Sequence, residues 1–129
     1  MESKIFTNDE QNKRILNLGI SRKTADVCFY CITNEDNEDI AFFSFTNEAF
    51  WITDGNSDDV IVKWSYNKLL QMIKSCGCRL AMFDDCFVVE RWTDREQFEM
   101  SVDTTFDELI DCIEWLIKDK NFNEYYLNK

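Results

Sequence analysis

Two pairs of cysteines have spacings that could support metal chemistry. Cys28-Phe-Tyr-Cys31 has the interval of a zinc half-site, and Cys76-Gly-Cys78 would add two more thiolates. The aromatic spacer is bulky where zinc knuckles turn tightly. Residues 25–33 also read as a strand, which sends positions 28 and 31 to opposite faces. Buried structural thiols are the better reading of Cys28, Cys31, Cys76, Cys78, Cys86 and Cys112, most of which sit inside apolar segments. No metal and no cofactor is expected.

Catalysis has little to work with. The chain has no His, so Ser-His-Asp and Cys-His arrangements are impossible within it. Gly19, Gly55 and Gly77 stand in no phosphate-loop or dinucleotide spacing. Asp84 with Asp85, or Glu90 with Asp94, would be acid–base pairs if they met in a cleft, but among 25 carboxylates such pairs arise by chance. The expectation is a protein that is not an enzyme.

What remains is where the carboxylates lie. Asp107, Asp111 and Glu114 are spaced by four and three residues, which stacks them along one helical face at about 4.5–6 Å axial intervals. That interval resembles the spacing of successive phosphates on a nucleic-acid strand. Glu35, Asp36, Glu38, Asp39, Asp58 and Asp59 add charge to turns, where binding groups are often displayed. The net charge is −11 and unevenly placed: residues 1–24 carry five basic and three acidic groups, and the rest nine and twenty-two. Such a field repels nucleic acid and anionic lipid and attracts basic protein surfaces. The competing reading is acidity for solubility alone. Lys13, Arg14, Arg22 and Lys23 form the one positive region.

These nine carboxylates are the candidate partner-binding residues. The function expected is a small acidic inhibitory binding protein that neutralises a basic nucleic-acid-handling partner, in the manner of an immunity or anti-CRISPR protein. Abundant Asn, and Lys in excess of Arg, point toward an AT-rich bacterial or phage genome. Direct binding of nucleic acid or membrane is not expected, and oligomeric state is open, with a dimer allowed.

Elements must hold these residues in place. Thr105 and Glu108 form a capping box, after which Phe106, Leu109, Ile110, Ile113, Leu116 and Ile117 recur at helical spacing. Thr7 and Glu10 repeat the box ahead of a short, weakly apolar helix ending at Gly19, expected to lie on the surface or to pack late. Ser65 caps a second helix with Leu69, Leu70, Ile73 and Cys76 on one side, closed by Gly77. Strands are expected at 25–33 and 40–45 around the polar turn 34–39, at 50–53 before Asp54-Gly55, at 60–64, at 78–83 and 86–92 around Asp84-Asp85, and at 97–102. The numerous aromatic residues read as core, with Phe122, Tyr125 and Tyr126 folding back after the last helix.

The fold class is α+β: one domain over residues 1–129, an antiparallel sheet of about five to seven strands, three helices, and the order α-ββββ-α-βββ-α. No run of 18 apolar residues occurs, and Met1-Glu2-Ser3-Lys4-Ile5 lacks the apolar core of a signal peptide, so a cytoplasmic location is expected. In element order, size and acidity the chain resembles bacterial type III secretion chaperones, which run helix, three strands, helix, two strands, helix. The strands near Phe50 and Phe98 depart from that pattern, and no residue motif carries the likeness. It implies an alternative function, a dimeric chaperone-like protein holding a client segment.

Overall fold

The computed structural model describes residues 5–33, 39–45 and 60–128, with backbone alone at 28–33, 39–45 and 60. The described elements are α1 (Asp9–Asn17), β1 (Val27–Thr33), β2 (Asp39–Phe45), β3 (Val60–Lys63), α2 (Tyr66–Lys74), β4 (Cys78–Met82), β5 (Cys86–Arg91), β6 (Gln97–Ser101) and α3 (Phe106–Lys118). Single 3-10 turns lie at Arg22–Thr24 and Glu124–Tyr126. The fold is α+β, with three helices and antiparallel strands among the described residues. The turn at 34–38, the strand expected at 50–53 and the Asp54-Gly55 turn lie outside the described residues.

Helix α3 starts where its capping box predicts. Glu108 N donates to Thr105 Oγ1 at 3.2 Å, and Thr105 N donates to Glu108 Oε1 at 3.2 Å. The Glu108 carboxylate also accepts from Ser101 N at 2.7 Å and Ser101 Oγ at 2.6 Å, so one side chain ties the end of β6 to the start of α3. Phe106, Leu109, Ile110, Ile113 and Leu116 are buried, joined by Cys112, while Ile117 is only partly covered.

Helix α1 is displaced by one residue from the expected box. Asn8, not Thr7, is the cap: Gln11 N donates to Asn8 Oδ1 at 2.8 Å, and Asn8 N to Gln11 Oε1 at 2.9 Å. Asn-Gln satisfies the same orphaned amides as Thr-Glu. Thr7 is then available for another task. It is buried, accepts from Trp64 N at 3.0 Å and donates to Asn12 Oδ1. Helix α1 buries one side, where Ile15 and, just beyond the helix, Ile20 are fully covered, and leaves Asp9, Glu10, Lys13, Leu16 and Asn17 exposed. Gly19 takes φ +91° after the C-cap Leu18, the left-handed position its type predicts.

Ser65 caps α2 through Lys68 N at 3.1 Å, and Asp26 in turn holds Ser65 by its N–H (2.8 Å) and its hydroxyl. Leu69 and Ile73 are fully buried as expected, together with Met72, which the expected apolar side omits; Leu70 and Cys76 are half-buried. Gly77 has φ +73°.

Among the described residues the strands pair in two three-stranded sheets. β1 lies between β2 and β3, with Phe29 opposite Phe43 and Ile61. β5 lies between β4 and β6, with Val89 opposite Leu80 and Phe98. Period-2 patterning marks a strand but not its partner, so a single-sheet expectation was the simplest one available. One core still serves both: Val62 from β3 and Trp64 meet Val89, Met100 and the buried sides of all three helices. The Trp64 indole N–H donates to Thr24 Oγ1 at 2.9 Å, satisfying a donor that has no access to water. Val102 falls beyond β6 and is exposed.

The segment after α3 folds back, as expected for Phe122 and Tyr126, which are buried; Tyr125 is exposed. Ser21 N donates to Tyr126 O at 2.7 Å, Asn128 N to Gly19 O at 2.8 Å, and Leu127 bridges to Ile20. No described helix is long and apolar enough to cross a membrane.

Candidate functional site

The three carboxylates of α3 share a face, as their spacing predicts, but that face is the seam with α1. Gln11 Nε2 donates to Asp107 Oδ1 at 3.2 Å. Arg14 pairs with Asp111 and, at 3.3 Å, with Glu114, which also lies 4.0 Å from Lys118. Burial pulls the Arg14 guanidinium down, but the bond to Asp111 and the two carboxylates outweigh it and hold its pKa above the ordinary value. Arg14 is therefore shared between two of the three carboxylates, and Lys118 lies beside one of them. Asp39 is described only as the backbone partner of Thr33. Glu35, Asp36, Glu38, Asp58 and Asp59 lie outside the described residues.

Glu90 and Asp94 each pair with arginines. Glu90 accepts from Gln97 Nε2 at 2.9 Å and from Arg79 and Arg95 at 2.7 and 3.4 Å, and these partners hold its carboxyl below the usual range against the opposing effect of burial. Asp94 is held by Arg91, whose guanidinium also reaches Asp119 at 2.7 Å. Arg79, Glu90 and Gln97 are register partners across β4, β5 and β6. Both Arg79 and Arg95 pack on Trp92, 5.3 and 5.6 Å from the ring centroid. This row is internally matched in charge.

The tip of the β4–β5 hairpin is different. Phe83 N donates to Cys86 O at 2.8 Å, closing the two-residue loop Asp84-Asp85 that the sequence predicts. Met82 and Phe83 are 67% and 56% exposed, the pair of large apolar side chains that the tip leaves in water. Asp84 and Asp85 beside them, and Glu99 on β6, are exposed. None of these three enters an ion pair among the described residues. Burial, then the carboxylates of Glu99 and Asp85, push the Cys86 thiol above its ordinary range. An apolar pair rimmed by unpaired charge has the composition of a docking anchor. The sequence did contain Met-Phe-Asp-Asp; their exposure, which follows from strand length, is what pattern alone did not supply.

Cys76, Cys78, Cys86 and Cys112 are free thiols. Burial raises Cys76 and Cys112 and pushes Cys78 up to about 11, so all three are protonated and unreactive at neutral pH. Among the described residues no group of three or more Cys, Asp or Glu is arranged to hold a metal ion. The side chains of Cys28 and Cys31 are outside the description.

Comparison with protein-family models, with curated proteins and with solved structures finds no match.

Proposed function

We propose that this chain is a small acidic inhibitory binding protein, acting in the cytoplasm, whose partner is a basic nucleic-acid-handling protein. What supports the reading most is the β4–β5 tip, where Met82 and Phe83 stand exposed among the carboxylates of Asp84, Asp85 and Glu99, which enter no ion pair among the described residues. The net charge of −11 supplies long-range attraction toward a basic groove, and the apolar pair supplies contact area once docked. Asp107, Asp111, Glu114, Glu35, Asp36, Glu38, Asp39, Asp58 and Asp59 are the further candidate contacts, as contributors to the same net charge. An immunity or anti-CRISPR role is the form this function takes in a bacterial or phage setting.

The test is affinity capture by the parent and by a Phe83→Ser, Asp84→Lys, Asp85→Lys variant, at low and at raised salt. A basic nuclease or related enzyme held by the parent, released by salt and absent from the variant supports the proposal. A partner held equally by both proteins, or indifferent to salt, overturns it.

A second reading rests on element order. The described sequence of helix, three strands, helix, three strands, helix departs from the type III secretion chaperone pattern by one strand, β6. Its discriminator is mass in solution: a dimer favours a chaperone-like holder of a client segment, and a monomer counts against it.

A further inference from the structure

The β4–β5–β6 sheet has two edges, and among the described residues only one is guarded. Phe83 N donates to Cys86 O at 2.8 Å and Trp92 N to Gly77 O at 3.2 Å, so Phe83, Ala81 and Arg79 turn their backbone groups toward β5. By alternation Leu80 and Met82 point their N–H and C=O groups away from it. β4 has no strand on that side, and among the described residues no backbone group meets those of Leu80 or Met82 there. No residue of β4 is buried, whereas Val88, Val89, Glu90 and Arg91 of β5 are.

Sheet edges are ordinarily blunted by charge, by proline or by a covering element. At β6 the Ser101 N–H is taken by the Glu108 carboxylate at 2.7 Å, and Glu99 stands exposed at the centre of the strand. A second β6 laid antiparallel about Glu99 would set carboxylate against carboxylate. β4 has neither device. Its one charge, Arg79, lies near its start and is held by Glu90, and its far end leads into Met82 and Phe83, 67% and 56% exposed.

Side chains directly opposite in a sheet share a face, so a two-fold pairing of β4 with itself must be centred on a residue. Ala81 is the centre that fits. Leu80 then exchanges N–H and C=O bonds with Met82 of the second copy, and the same exchange recurs across the axis. Ala81 meets its own small counterpart, and Arg79 lies opposite Phe83, a cation and its stem against a ring. The two Asp84 residues fall about 20 Å apart along the joined strands, beyond the screening length of about 8–10 Å. Centring on Met82 would bring them to about 13 Å. Centring on Leu80 would set Phe83 opposite Gly77, which has no side chain. We infer that two copies of this chain join through β4, antiparallel and centred on Ala81, so that two three-stranded sheets become one.

This contact is small beside the roughly 1,200–2,000 Å² of a stable complex, so association is weak and reversible. Each copy carries a net charge of −11, so salt strengthens it by screening, opposite to its effect on a basic partner. The joint covers Met82 and Phe83 and therefore competes with docking at the same tip; that consequence rests on the proposed function, and the dimer does not.

Sedimentation equilibrium of the full chain, from about 10 µM to about 1 mM at low and raised salt, tests this. The mean mass should climb from monomer toward dimer with concentration, and climb further with salt. Met82→Pro removes an outward N–H and no bond to β5, and should weaken association roughly tenfold or more. Met82→Thr keeps that N–H and a strand-forming residue, and should weaken it less. Ala81→Lys sets two cations together at the axis and should abolish it, which keeps the test decisive if Met82→Pro fails to fold. A monomer throughout overturns the inference. So does association that salt weakens, or that Met82→Pro and Ala81→Lys leave unchanged; the last is the dimer that the client-holding reading calls for. Whether a basic partner binds the tip is read separately, by affinity capture.

Discussion

The guanidinium of Arg91 lies over the indole of Trp115, 4.6 Å from the ring centroid, while its nitrogens hold Asp94 and Asp119. One side chain at the end of β5 thus joins a turn, a sheet and the C-terminal end of α3. Its bonds to Asp94 and Asp119 hold the guanidinium above its ordinary pKa despite burial. Arg91→Lys keeps the charge but loses the planar fork and the stacking face. The melting temperature should fall by roughly 3–6 °C, and Arg91→Met should fall further. Circular dichroism melts decide it; a Lys variant melting with the parent would show these contacts to be idle.

Gly77 sits at φ +73°, and a Cβ placed there would meet nothing within 4 Å, so a substitution faces backbone strain and no clash. Gly77→Ala should cost about 1–2 kcal/mol, Gly77→Val more, and Gly77→Asn clearly less than Ala. Urea denaturation of the three variants gives the ranking, and an unchanged midpoint for Val would refute the left-handed cap.

On α3 the two faces should respond differently. Leu109→Ala and Ile113→Ala, both at fully buried positions, should each cost about 2–5 kcal/mol. Arg14 and Asp111 are part-exposed, so a double-mutant cycle between them should return only about 0.5 kcal/mol of coupling. Charge reversal at Asp111 therefore bears on the α1–α3 seam as well as on any partner. Coupling above about 2 kcal/mol, or none, would contradict the geometry.

Glu108 gives a pH prediction. Bonds from the Ser101 hydroxyl and N–H, then from Thr105, hold its carboxyl below the ordinary glutamate value of 4.5, against a smaller opposing effect of burial. A depressed folded pKa means its stabilisation is fully present above the unfolded value and is lost as pH falls through the folded one. Stability of the parent should decline on acidification below about pH 4.5. Glu108→Gln should be less stable at neutral pH and should lose less over that acidic limb. Parallel curves for the two proteins would rule the linkage out.

Local signals in the sequence were legible where the responsible groups are close along the chain. The box at Thr105, the cap at Ser65, the left-handed glycines and the Asp84-Asp85 loop all follow from contacts within a few residues. What escaped is set by distant partners. Thr7 was drawn out of its expected cap by Trp64, 57 positions on, and two sheets formed where alternation alone could not say which strands pair. The acidic face of α3 was correctly placed on one side of the helix, but the sequence could not reveal that Arg14, 97 residues away, leans against it. Likewise the tip residues Met82 and Phe83 and the outer edge of β4 gain their interest from what, among the described residues, does not cover or meet them.

The pairing of residues 126–128 with 19–21 has a consequence for synthesis. During translation the corner after α1 leaves the ribosome long before the segment that seals it, and Phe122 and Tyr126 reach the core after its other members. Until then Ile20 lacks its bridge to Leu127. The nascent chain must wait, exposed to chaperones and proteases, and it can close its fold only when that sealing stretch emerges.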